Sequence, residues 1–118
     1  LNNYRIIRYS DVLLMAAEAW NKSTAPNDTK AQGYVNQVRR RAFGDNLHDI
    51  TTTGNALYLN IIDERRLELA MEGDRFFDLV RTGQAATKIT GFTAGKHEVF
   101  PIPQEEIIIS GLTQNAGY

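Results

Sequence analysis

Between Asn60 and Gly83 the chain gathers six carboxylates (Asp63, Glu64, Glu68, Glu72, Asp74 and Asp78) and four arginines (Arg65, Arg66, Arg75 and Arg81). Two kinds of chemistry could be built from such a set. Two carboxylates flanking a sugar, about 5–10 Å apart across a cleft, could hydrolyse a glycosidic bond. Acids and arginines could instead close ion pairs that lock neighbouring helices. The spacing favours the second. Glu64, Glu68 and Glu72 recur every four residues and would share one row of a helix. Arg65 stands three before Glu68, Arg75 three after Glu72 and Arg81 three after Asp78, so opposite charges can meet along one surface. Carboxylates on a single helical segment do not oppose each other across a cleft. The reading is a structural network of Glu64, Arg65, Glu68, Glu72, Arg75, Asp78 and Arg81, with no catalytic residue and no enzyme activity.

Other chemistry finds little to work with. There is no cysteine, which removes disulfides, thiolate metal sites and cysteine nucleophiles together. His48 and His97 stand far apart in expected loops and fit no ligand spacing, so no metal and no cofactor are expected. Gly91–Lys96 lacks the spacing of a phosphate loop. A net charge of −1 argues against a nucleic-acid partner. Arg39, Arg40 and Arg41 are consecutive, and on a helix they point in different directions. Sugars are commonly gripped by flat rings, which makes the aromatic residues the remaining candidates. Trp20 lies on an apolar stripe and reads as core, and Phe76 and Phe77 read as core wedges. Tyr4, Tyr58 and Tyr118 are freer, with polar tips suited to a boundary with water. The candidates for ligand contact are therefore Tyr4, Trp20, Tyr58 and Tyr118.

The elements that must position these residues are mostly helical. Ser10 or Asp11 can cap a first helix to about Asn21, with Leu13, Ala16, Ala17 and Trp20 as its buried stripe. Ser23–Asp28 is turn chemistry. Asp28 can cap a second helix from Thr29 to Phe43, whose inner face is Ala31, Tyr34, Val35, Val38 and Ala42, and Gly44 stops it. The pair makes an antiparallel hairpin of the tetratricopeptide kind. Asn55 can cap a third, charged helix to about Glu72, with a break at Gly73 and a further piece to Thr82. Lys88–Val99 reads as loop with a short hairpin. Pro103 suits the first turn of a short helix to Ile109, followed by an ordered, irregular tail. The length suits one core, so residues 1–118 are expected to form a single domain. No run of eighteen apolar residues is present to span a bilayer.

Three segments carry a family resemblance: Arg8-Tyr-Ser-Asp-Val-Leu-Leu-Met-Ala-Ala-Glu-Ala19, the charged run Asn60–Gly83, and Phe100-Pro-Ile-Pro-Gln-Glu-Glu-Ile107 with Leu112–Tyr118. In this order they closely resemble the C-terminal part of the SusD/RagB family, nutrient-binding lipoproteins of the Bacteroidetes outer membrane. The resemblance implies a C-terminal fragment of a larger SusD-like protein with tetratricopeptide-like helical pairs. It implies carbohydrate binding in polysaccharide utilisation, at the cell surface, beside a SusC-like TonB-dependent transporter. The partners would be a glycan or oligosaccharide and that transporter. Membrane association would come only through an N-terminal lipid anchor outside these residues. Catalysis is not implied, and the present segment would act mostly as scaffold. The alternative is a helical protein–protein interaction module that binds no sugar.

Overall fold

The computed structural model describes residues 6–118. Among the described residues six helices follow one another: α1 (Tyr9–Lys22), α2 (Asp28–Phe43), α3 (Gly54–Glu68), α4 (Arg75–Arg81), α5 (Ala85–Lys88) and α6 (Gln104–Ser110). No strand occurs among the described residues, so the expected hairpin in Lys88–Val99 gives way to turns after the short α5. Two compact units divide the chain, one running to Arg75 and the other from Phe76 to Tyr118.

In the first unit, α1 and α2 form the antiparallel hairpin, and α3 packs on both. Its core is built from Leu13, Leu14 and Ala17 of α1, Ala31, Val35 and Val38 of α2, and Leu57 and Ile61 of α3. Trp20, Tyr34 and Ile50 cover it, each half-buried. The buried stripe of α1 runs through Ser10, Leu14, Ala17 and Asn21, with Leu13 beside it, and it leaves Ala16 and Trp20 at the margin. Ala42, expected on the inner face of α2, is exposed where the helix runs past the core.

Polar side chains near the helix starts perform tasks that sequence order does not suggest. Arg8, not Ser10 or Asp11, occupies the cap position of α1, and no side chain caps that end. Its carbonyl accepts the Asp11 and Val12 amides at 3.0 and 3.2 Å. Asn27 caps α2 by accepting the Lys30 amide at 2.9 Å. Asp28, expected there, is instead the first helical residue and accepts the Gly54 amide at 2.7 Å. That amide belongs to the unsatisfied first turn of α3, so Asp28 caps a different helix from its own. The buried Asn21 joins the same corner, donating to Asp28 at 2.9 Å and to the Gly54 carbonyl at 3.0 Å. Asn55 lies inside α3, and Thr53 holds its cap position.

The segment after α2 is fastened to that helix. Gly44 ends α2 with φ 81°, its amide on the Arg40 carbonyl at 2.8 Å. The left-handed conformation costs a side-chain-bearing residue about 1–2 kcal/mol and costs glycine nothing of that kind. Arg39 Nε then donates to the His48 carbonyl at 2.6 Å, Asn36 to that of Ile50 at 2.9 Å and Gln32 to that of Thr52 at 2.7 Å. The donors stand four and then three residues apart on α2, about 6 and 4.5 Å of rise, and the long Arg39 side chain reaches the carbonyl of the turn residue His48.

The second unit centres on aromatic contacts. Phe76 meets Phe77 edge-on at 5.6 Å and lies tilted against Phe92 at 6.5 Å and Phe100 at 5.7 Å. Phe77 is itself exposed, so only Phe76 serves as a wedge here. Pro101 and Pro103 carry no amide hydrogen, which leaves Ile102 the one donor between them. Gln114 satisfies it, accepting the Ile102 amide at 2.8 Å and donating to its carbonyl at 2.9 Å. Asn115 donates to the Phe100 carbonyl at 2.7 Å, and the Tyr118 hydroxyl to that of Val99 at 3.0 Å.

Candidate functional site: a buried arginine–carboxylate network and an aromatic pocket

The charged run builds its network across elements. Glu68, whose side chain is 8% exposed, receives Arg8 at 2.7 Å and both of its oxygens meet Arg41 at 2.7 and 2.6 Å. Arg8 also donates to the Glu68 backbone carbonyl at 2.7 Å, to the Ser10 hydroxyl at 2.6 Å and to Glu72 at 2.9 Å. Glu64 takes Arg39 of α2 at 2.5 Å, and Arg65 reaches Asp11 of α1 at 2.6 Å. The first turn of α1, the last turns of α2 and the end of α3 are thus tied by guanidinium groups. Arg40 pairs with Asp49, so the three consecutive arginines serve three different carboxylates.

These partners differ from the helical neighbours that spacing suggests. Arg65 binds Asp11 where a pair with Glu68 was expected from the three-residue step. Glu72 binds Arg8 where Arg75 was expected. The reason lies in the end of α3. Arg8 occupies the Glu68 carbonyl, and the Glu72 amide turns to the Leu69 carbonyl at 3.1 Å, so the helix stops at Glu68 and not at Glu72. Met71 at φ 70° and Gly73 at φ 98° carry the chain through the break. Arg75 keeps a buried Nη1 without a hydrogen-bond partner among the described residues. Asp78 and Arg81 do pair within their helix, at 2.7 Å.

The electrostatics follow the geometry. Bonds from Glu72 and then Glu68 hold the Arg8 guanidinium protonated well above its ordinary range. Burial pushes the Glu68 carboxyl up, but bonds from Arg8 and Ser10 and the charges of Arg41 and Arg8 outweigh it. The net result is a carboxyl below its usual range. That carboxylate is ionised and enclosed by cations, the opposite of a general acid, which needs a raised value.

The aromatic candidates are not gathered into one place. Tyr4 lies outside the described residues. Trp20 is half-buried against the core with Lys30 Nζ 3.9 Å from its ring centre, and Tyr58 carries Lys22 Nζ at the same distance. Tyr118 belongs to the second unit and lines an open pocket of about 310 Å³ with Phe76, Phe92, His97 and Phe100, together with Ile89, Thr90, Gly91 and Val99. Sequence reading did not reach this pocket, because Phe76, Phe92 and Phe100 meet across turns with no periodic signal. Among the network residues, Arg8, Asp11, Arg39 and Arg41 went unassigned for the same reason. Among the described residues no group of His, Asp and Glu could hold a metal ion. No helix among them is long and apolar enough to cross a membrane.

Comparison with known proteins places this architecture. The SusD-like protein P2 of Formosa agariphila is 32% identical over 98% of this chain and 26% of its own length. The SusD-like protein P38 of the same organism is 39% identical over 70% of this chain and 18% of its own. A SusD homolog from Bacteroides thetaiotaomicron superposes with a TM-score of 0.77 at 31% identity, over 95% of this chain and 26% of that one. A SusD-like protein from Bacteroides fragilis gives 0.80 at 29% identity, over 96% and 25%. The chain spans about a quarter of the length of these relatives, or less. The SusD family model matches residues 1–118, and with these relatives and this helical fold the chain belongs to the SusD family.

Proposed function

We propose that the whole protein captures a glycan or another nutrient at the outer surface of the cell and passes it to a SusC-like TonB-dependent transporter, breaking no bond. In this reading the protein is a lipoprotein of the outer membrane, held by an anchor outside these residues, and the present segment is mostly scaffold. The observation that carries the scaffold role is the seating of Glu64 and Glu68. Glu64 is buried, the Glu68 side chain is almost fully covered, and each is bonded to arginine from another element, so their chemistry is spent on holding helices together. Family membership supports the nutrient-capture role. Calorimetry of the 118 residues alone and of the whole protein, against plant, host and microbial polysaccharides, tests both parts. Binding by the whole protein alone supports a scaffold. Equal binding by both would move the site into this segment, with Tyr118, Tyr58 and Trp20 the first mutants. No binding by either would overturn glycan capture.

A second reading, a helical protein-interaction module without sugar binding, draws on Ile6, Ile7, Val12 and Met15, which are exposed on and just before α1. It expects a protein ligand in the same calorimetry and no response to any polysaccharide.

A further inference from the structure

The outer face of α1 is built like an inner one. Residues two apart on a helix point to nearly opposite sides. Leu14 and Ala17 are fully buried in the core with α2 and α3, and Val12 and Met15, opposite them, are 44% and 45% exposed. Every exposed residue of α1 ahead of Lys22 is apolar or aromatic: Tyr9, Val12, Met15 and Ala19. The solvent face of α2 makes the contrast, with Thr29, Lys30, Gln37 and Arg40. A helix wet on one side carries one apolar stripe, and a helix with stripes on opposite sides is built to lie between neighbours. Ile6 and Ile7 extend the exposed apolar surface ahead of α1. Tyr9 borders an open cleft of about 210 Å³ that Leu13 and Val38 also line.

The size of this face selects its occupant. With 14 residues α1 is about 21 Å long, and a strip about 10 Å wide along it offers about 210 Å². A stable complex between separate proteins buries about 800 Å² on each. The strip is too small to hold a free partner or a second copy by itself. A segment joined through the chain needs far less, because it loses little translational and rotational freedom on docking. Relatives of this chain carry about three quarters of their length outside the part that it matches, and that length can supply the segment. Tyr9, Val12, Ala16 and Ala19 stand at steps of three and four, and small side chains let a second helix axis approach to about 8–10 Å.

We propose that in the whole protein the outer face of α1 is covered by an apolar-faced helix of the same polypeptide, from outside residues 1–118. The face is then an internal seam, and the interaction-module reading loses the residues it draws on. The inference stands whether or not the whole protein captures a glycan.

Met15 reports on the seam in the natural whole protein without any substitution. Its oxidation by peroxide, followed by mass spectrometry, should run about tenfold or more below its rate in urea, a factor that about 1.4 kcal/mol of closure gives. Oxidation at the unfolded rate would overturn the proposal. So would protection that disappears on dilution, which would make a second copy the cover. A benzophenone side chain carried at position 12 of the whole protein then identifies the occupant. The cross-linked peptide should come from the same molecule, outside residues 1–118, with apolar residues at steps of three and four. A cross-linked dimer, or a peptide from within residues 1–118, would sink the idea.

Discussion

Asn36 holds Ile50 by both sides of its peptide group, donating to the carbonyl at 2.9 Å and accepting the amide at 2.8 Å. A buried side-chain amide thereby does for a loop what a neighbouring strand does for an edge. Gln114 repeats the arrangement on Ile102 in the second unit. Asn36→Leu should leave two backbone groups at a half-buried position without partners, at a cost of about 1–3 kcal/mol. Amide exchange at Ile50 should accelerate, and the thermal midpoint should fall. An unchanged midpoint would mean that water replaces the clamp without loss.

Glu68→Gln should be more damaging. The substitution leaves Arg8 half-buried beside a neutral amide, and removing one partner of a buried pair costs about 3–5 kcal/mol. With Arg41 largely exposed and able to rehydrate, the lower end of that range is expected. Thermal unfolding measures it. Loss of a turnover activity with no loss of stability would contradict the structural role and revive an acid–base one.

Acid should act through the same carboxyl. Its folded value is depressed, so its contribution to stability is complete above the ordinary carboxylate range. That contribution is lost as pH falls through the lowered folded value. Asp49, lowered by its bond from Arg40, adds in the same sense. Urea unfolding of the natural chain should therefore weaken steeply below about pH 4. Glu68→Gln should show a shallower slope there, and equal slopes would show that other carboxylates govern acid unfolding.

Two left-handed positions make a matched test of backbone strain. Gly44→Ala places a side chain at φ 81° and should cost about 1 kcal/mol. Met71 already bears a side chain at φ 70° and is fully exposed, so Met71→Asn, a residue that tolerates this region, should stabilise by about 0.5 kcal/mol. Urea midpoints of the two variants should move in opposite directions.

Much of the fold was legible because it rests on local signals. The apolar spacing of α1 and α2, Gly44 as the stop of α2, and Pro103 at the head of α6 all act over a few residues. The long-range polar pairing was not legible. Spacing showed that Arg65 could reach Glu68, and nothing in one sequence showed that Asp11, 54 residues earlier, would win it. The same limit hid Asp28 as a cap for α3 and the meeting of Phe76 with Phe92 and Phe100. The break after α3 runs through Met71 and Gly73, both at positive φ, and of these the sequence flagged Gly73 alone. Tyr118 was marked as a free aromatic residue, but the pocket around it depends on turns that periodicity does not report.

The carbonyls that meet Arg39, Asn36 and Gln32 belong to His48, Ile50 and Thr52, alternate residues of one connection. That alternation gives the connection a parity. One residue inserted between His48 and Thr52 would present outward-facing groups to part of the α2 ladder, since successive peptide carbonyls point to opposite sides of an extended chain. Two inserted residues could bulge into solvent and return every carbonyl to its donor. Length change in this loop is therefore constrained to even steps, although the loop lies on the surface where insertions are ordinarily free.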